Sequence, residues 1–353
     1  MLDIWNFRKK QQLFDQGIYK IHQVQRHDVG DFESEAGVDG MNRMQRQWLQ
    51  INGIPDEYNL GSYYFDRALA SVTMSKWQYP FHLIDFETSA VALPFHAGIK
   101  PYEQVAFQFS HHVMKSDGSA RHAGEFLCVE PGVFPNFEFA RALKAQLGQD
   151  NGTVFMWSHH ENTILSTILA QLSYYTNPPT DTAELISFIM TVIKGGEREM
   201  VDLCAFAEKA FFHSETKGSN SIKKVLPAML KVSQTLIDTY SQPIYGKPNG
   251  IPSLNFSSNE GFVWLTRDSN DAVIDPYEKL KAHAKEMLPS GVKTDASVIA
   301  EGGAAATAYA RLQFESLDLE TRERIKSALL RYCELDTLAM LMILQGWQAD
   351  IML

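Results

Sequence analysis

The chain has 353 residues, 45% of them hydrophobic and 21% charged, which is the composition of an ordinary globular protein large enough for one big domain or two modest ones. No apolar run approaches a membrane span, MLDIWNFRKKQQ lacks an apolar signal core, and Cys128, Cys204 and Cys333 lack CxxC spacing. These features argue against a membrane-spanning helix, a disulfide framework and a zinc ribbon, and the expected compartment is the cytoplasm. The formal net charge of −10 argues against tight metal-free binding to a polyanion, but less against a catalyst whose metal site needs carboxylates of its own.

Residues 1–76 read as a polar, Gln-rich helical extension anchored by Trp5, Phe7 and Leu13. Residues 77–353 are expected to form the main domain, with an insertion at about 235–310. FHLID (81–85) is a short apolar run that predicts a buried central strand. EQVAFQFSHHV (103–113) predicts a second strand, the Asp117-Gly118 pair a hairpin, and HAGEFLCVE (122–130) a third strand. A helix over 135–148 stops at Gly148, and TVFMWS (153–158) is a fourth strand. Helices follow over 161–174 and 181–193, then a short strand at EMVDL (199–203). SIKKVLPAML (221–230) is helix-like, residues 240–300 are irregular and rich in Pro, Gly, Ser and Asn, and a long helix closes the chain over 319–347. The fold class is α/β. Three antiparallel strands, helix, strand, helix and strand resemble the order of the ribonuclease H-like fold, a mixed five-stranded sheet flanked by helices.

Four acidic residues fall where such a fold could converge them. Asp85 and Glu87 end the first strand and, two apart, share one face. Glu161 opens the helix after the fourth strand, and Asp336 lies four residues after Tyr332 on one face of the terminal helix. Such a set of hard oxygen ligands suits two Mg²⁺ or Mn²⁺ ions in phosphodiester hydrolysis. Each position also has a plainer reading: a solvated strand end for the Asp-x-Glu triplet, a first-turn acid for Glu161, a half-buried core residue for Tyr332. Asp336 is harder to set aside, because its apolar neighbours Leu335, Leu338 and Ala339 would bury it.

With YPFHLIDFET and YCELDTLAM in place, the sequence resembles the DEDD superfamily of 3′–5′ exonucleases in its tyrosine subtype, and more closely a bacterial domain-of-unknown-function family within it. GSNSIKKVLP (218–227) and LLRYCELDTLAM carry the latter likeness, and the resemblance covers roughly 79–345. It implies that Asp85 bridges two ions, that Glu87, Glu161 and Asp336 complete their shells, and that Tyr332 orients the attacking water. The second motif departs: Ser158-His159-His160-Glu161 stands where the superfamily has Asn-x-x-Phe-Asp. Asp202 is the fallback acid, with helix capping as its plainer role.

Substrate contacts are expected from Phe86, Thr88, His160, Ser219 and Lys223, the last two beside Lys224 at a helix start that suits a phosphate. Phe86 and Trp157 could stack a base, although aromatics beside strands are more often core. His111-His112 and His159-His160 do not make a zinc site, since adjacent histidines on a strand face opposite ways. The implied partner is DNA or RNA with a single-stranded 3′ end, with room for association with another nuclease domain. A catalytically degenerate nucleic-acid-binding module and a phosphodiesterase for short oligonucleotides stand as the competing readings.

Overall fold

The computed structural model describes residues 3–30, 39–55, 63–256, 258–286 and 302–352. It opens with helices α1 (Lys10–Asp15), α2 (Arg26–Val29) and α3 (Arg43–Asn52), strand β1 (Tyr63–Phe65) and helix α4 (Arg67–Met74). Strands β2 (Phe81–Ser89), β3 (Val105–Met114) and β4 (Ala120–Leu127) follow, then α5 (Asn136–Leu147), β5 (Val154–Met156), α6 (His160–Tyr174), α7 (Thr182–Val192) and β6 (Val201–Asp202). The rest is α8 (Leu203–Ala210), β7 (Phe211–His213), α9 (Ile222–Val232), α10 (Gln234–Tyr240), α11 (Pro276–Glu286), α12 (Gly302–Phe314) and α13 (Leu319–Met352). No helix among the described residues is long and apolar enough to cross a membrane.

The chain forms two compact units. One comprises Trp77–Asp202 with Thr239–Leu341, the other Met1–Lys76 with Leu203–Asp238 and Met342–Leu353. Residues 203–238 and 342–353, expected in the main domain, group instead with the N-terminal segment. No Gly/Ser linker marks those crossings, because helices α8 and α13 begin at or run straight through them.

The first unit is built on a five-stranded mixed sheet of order β4-β3-β2-β5-β6. β3 is antiparallel to both β2 and β4, whereas β2, β5 and β6 run parallel. β2 is central, so Leu83 and Ile84 are buried on opposite faces, as a continuous apolar run requires. The hairpin between β3 and β4 closes at Gly118, whose φ of 82° is the left-handed conformation glycine adopts without strain. Lys115 N–H donates to Ser119 O at 2.8 Å across that turn.

One face of the sheet carries Ile84, Phe86 and Phe109 against Phe139 and Leu143 of α5, Ile164 and Ile168 of α6, and Leu185 and Ile189 of α7. Each fully buried Leu or Ile there contributes about 1.5–3 kcal/mol. The other face carries Asp85 and Glu87, opposite Ser110 and Gln108 in the β3 register. It meets α13: Ser110 Oγ and His112 Nδ1 lie 2.8 and 2.7 Å from Thr337 Oγ1, and Gln108 Nε2 donates to Leu329 O at 2.7 Å. His111 faces away, towards His82 at 2.9 Å, so the two adjacent histidines do diverge.

Strands β1 and β7 form a two-stranded antiparallel sheet in the second unit, pairing Phe65 with Phe211. Three-residue strands carry no periodic signal, so the sequence did not announce them. The stretch read as irregular contains α10 at its edge and α11 within it, and Ala-rich α12 follows. Residues 257 and 287–300 of that stretch lie outside the described residues.

Arg46 of α3, only 1% exposed, ties the second unit together. Its guanidinium donates to the carbonyls of Ala207 and Phe211 and to Asn220 Oδ1. Burial lowers its pKa to about 10, with Glu208 pulling the other way. Replacing Arg46 with alanine leaves these acceptors without their donor and should cost about 3–5 kcal/mol. Urea unfolding measures this; an unchanged midpoint would refute the anchoring role.

Candidate metal centre

β2 and α13 assemble the site. The period of two on β2 puts the Asp85 and Glu87 side chains on the face that meets α13, and one helical turn separates Tyr332 from Asp336. One carboxylate oxygen from each of Asp85, Glu87 and Asp336 lies within 4.8 Å of the other two. Glu87 and Asp336 are buried, at 7% and 5% exposure. Glu161 does not join that group at this spacing.

Glu161 is nevertheless within electrical reach. Burial holds the Asp85 carboxyl well above its usual range, and the charges of Asp336, Glu161 and Glu87 push it further. Glu161 is pushed up to about 8, chiefly by burial; hydrogen bonds to the backbone of Glu161 and Phe86 restrain it, while Asp202 and Asp336 add repulsion. Its Oε2 is buried without a hydrogen-bond partner among the described residues. A buried acceptor left unpaired costs about 1–3 kcal/mol, and an unpaired charge more. A carboxylate cluster with an orphaned oxygen fits hard divalent cations such as Mg²⁺ or Mn²⁺.

Tyr332 is buried at 2% exposure, and burial together with Asp336, Glu87 and Asp85 raises its pKa, so its phenol stays protonated. Two further residues belong here that the motifs did not single out. Tyr277 of α11 donates to Asp336 Oδ1 at 2.6 Å, and the Cys333 thiol lies 3.5 Å from Asp85 Oδ2. Cys333 sits inside the YCELD motif and could have been noticed; Tyr277 comes from the stretch read as irregular, where only Asp275-Pro276 hinted at a helix start.

The second-motif segment is a tight turn between β5 and α6. Ser158 has φ of 80°, a left-handed conformation uncommon for a residue with a Cβ. Its N–H donates to Asp202 Oδ1 at 3.0 Å, so the fallback acid anchors this turn. Thr88 Oγ1 lies 3.3 Å from His160 Nε2, linking the end of β2 to the start of α6.

Phe86 corrects an expectation. It lies on the opposite face from Asp85, 4% exposed, with its ring edge-on to Phe139 at 4.8 Å, so it is core and is not placed to stack a base. Trp157 is buried too. Ser219 and Lys223 belong to the other compact unit, and Ser219 Oγ accepts from Ser221 N–H at 3.2 Å.

Residues 82–221 match a domain of unknown function (DUF2779). The match is less than half of the chain: it includes Asp85, Glu87 and Glu161 and ends well before Tyr332 and Asp336. No curated protein and no solved structure matches the chain.

Proposed function

We propose that this chain is a metal-dependent 3′–5′ exonuclease of ribonuclease H-like type, hydrolysing phosphodiester bonds of DNA or RNA. The observation that carries the reading is the convergence of Asp85, Glu87 and Asp336 within 4.8 Å, with Glu161 adding its charge. The sheet order supports it as well: in order of appearance the strands run 3-2-1-4-5, with only the second reversed. Helix α13 on the open face of the central strand brings the Tyr-x-x-x-Asp motif to the Asp-x-Glu motif.

Two divalent ions held by Asp85, Glu87, Glu161 and Asp336 would supply acidity for the attacking water and charge for the leaving 3′-oxygen. The protein's own groups do the rest. Tyr332, protonated throughout, donates a hydrogen bond and orients the water; it is no base. Tyr277 holds Asp336 in one rotamer by its 2.6 Å bond, and Cys333 braces Asp85. The burial of Asp336 and Tyr332 favours a thin, single-stranded end over a duplex. It also favours, as a second reading, a phosphodiesterase for very short oligonucleotides.

A 5′-labelled single strand tests the proposal: Mn²⁺ or Mg²⁺ should produce a ladder shortening from the 3′ end, and a chelator should stop it. Turnover confined to di- and trinucleotides selects the second reading, and no metal-dependent turnover at any length overturns both. Tyr277→Phe and Tyr332→Phe should separate their roles. The first should weaken metal affinity about tenfold, as loss of a residue that orients a ligand does. The second should leave affinity unchanged and lower turnover by about 10²-fold. Equal effects of both variants on metal affinity would refute the assignment.

A further inference from the structure

β4 and α13 bring together a second set of donors that the acidic site does not use. His122 and Glu125 lie on β4 and Glu334 on α13, and one ligand atom from each falls within 4.8 Å of the other two. The side chains of His122 and Glu334 are fully buried. Glu334 accepts from Tyr245 Oη and Ser253 Oγ with one oxygen and from Asn255 Nδ2, at 2.8 Å, with the other. The same amide donates to Glu125 Oε2 at 2.6 Å. A carboxylate that accepts three such bonds is the ionised form.

Counting hydrogens fixes the role of His122 Nε2. Tyr245 gives its hydrogen to Glu334, so His112 donates Nε2–H to Tyr245 Oη at 3.1 Å and its Nδ1 accepts from the Thr337 hydroxyl at 2.7 Å; Thr337 can then only accept from Ser110 Oγ, 2.8 Å away. Ser110 has then spent its hydrogen and accepts from His122 Nε2, at 3.1 Å. Nε2 therefore donates, and Nδ1 faces Glu334 either with a second ring proton or with a lone pair that takes a metal ion. Nδ1 is buried, lacks a well-directed hydrogen bond, and pairs with Glu334 Oε2 at 3.3 Å. A proton or a metal cation must therefore lie between Nδ1 and that anionic oxygen.

The spacing suits such a cation. Donors about 2.0–2.1 Å from a tetrahedral zinc-class ion stand about 3.3–3.4 Å apart, as His122 Nδ1 and Glu334 Oε2 do, with a Glu125 oxygen within 4.8 Å of both. A ligating histidine ordinarily ties its other N–H to a fixed acceptor, as Ser110 does for His122. Arg331, whose guanidinium feels the Glu334 charge and donates to Asn255 O, offsets one of the two carboxylates and leaves the other for the ion.

We propose that His122 Nδ1, Glu125 and Glu334 bind one divalent transition-metal ion, separate from the all-oxygen cluster around Asp85. The imidazole nitrogen selects Zn²⁺ or Co²⁺ over Mg²⁺.

The test uses the full chain, stripped with chelator and titrated with Co²⁺, read by visible d–d absorption and by bound metal after gel filtration. Asp85→Asn should keep one equivalent of Co²⁺ with d–d bands that Zn²⁺ abolishes. His122→Gln should lose it. Glu125→Gln, at a half-buried strand position, should keep the wild-type circular dichroism melt and bind at least about tenfold more weakly. Absence of the tight Co²⁺ site from Asp85→Asn, or unchanged binding in His122→Gln and folded Glu125→Gln, overturns the proposal; a proton on Nδ1 then replaces the ion.

Discussion

Asp85→Asn is expected to abolish metal-dependent phosphodiester cleavage, lowering turnover by at least about 10³-fold, or about 4 kcal/mol of transition-state stabilisation. The Asp85 titration registers Asp336, Glu161 and Glu87 together, so it feels all of the charge that would hold the ions. The amide keeps its shape and the Cys333 contact while removing one like charge from a buried group. The variant should therefore melt at or above the wild-type temperature in chelator, which separates lost chemistry from lost fold. Asp117→Asn, on the exposed β3–β4 turn, serves as the control and should retain full turnover. Persisting activity in Asp85→Asn, with the control unchanged, would remove the site from consideration.

That experiment addresses residues legible before any coordinates. Leu83 and Ile84 in an unbroken apolar run marked a central strand, Asp117-Gly118 marked the hairpin, and two-residue spacing put Asp85 and Glu87 on one face. Tyr332 and Asp336 were legible because helical spacing is rigid. Tyr277 was not, since its approach to Asp336 depends on how a long segment folds back, which no local pattern encodes. Phe86 was misread as a substrate contact: alternation on β2 already opposed it to Asp85 and Glu87, and that same rule sends its ring to the core. The pairing of Phe65 with Phe211 joins segments far apart in the chain through three residues each, too short for a period to register.

The second large effect is on stability. In chelator, the protein should become less stable as the pH rises through neutrality, and Mn²⁺ should remove most of that slope. The sign follows from the raised carboxyls. Glu161 lies near 8 when folded, against its usual 4.5, so the folded chain holds a proton that the unfolded chain has released. The corresponding stability is present below about pH 4.5 and is lost as the pH climbs through 8, on the order of 4–5 kcal/mol in all. Asp85 acts in the same direction.

Buried histidines act oppositely. Burial lowers His111 to about 3 and also depresses His112, so their stability is present above the usual histidine value and is lost towards acid. Between about pH 6.5 and 8 the carboxyl contribution is therefore the one to read. Denaturant melts across that window should slope downwards in chelator and flatten with Mn²⁺. A metal present at about a hundred times its dissociation constant adds about 2.7 kcal/mol to the folded state. Glu161→Gln should flatten the slope without metal; stability rising with pH in chelator would contradict the charge arrangement.

Helix α13 has a consequence for how this protein can tolerate change. Tyr332, Cys333 and Asp336 serve the acidic cluster, while Glu334, two residues before Asp336 and so about 200° round the helix, serves the His122 cluster. Both sets are indexed by the angular phase of one rod. Insertion or deletion of a single codon between positions 332 and 336 would turn the residues beyond it by about 100° and misalign at least one cluster. Substitutions can tune either site alone, but a length change here acts as a frame error written in degrees. This stretch should therefore accept point variants and reject indels, in contrast to the exposed turn at Asp117, where a scan of one-residue insertions should be well tolerated.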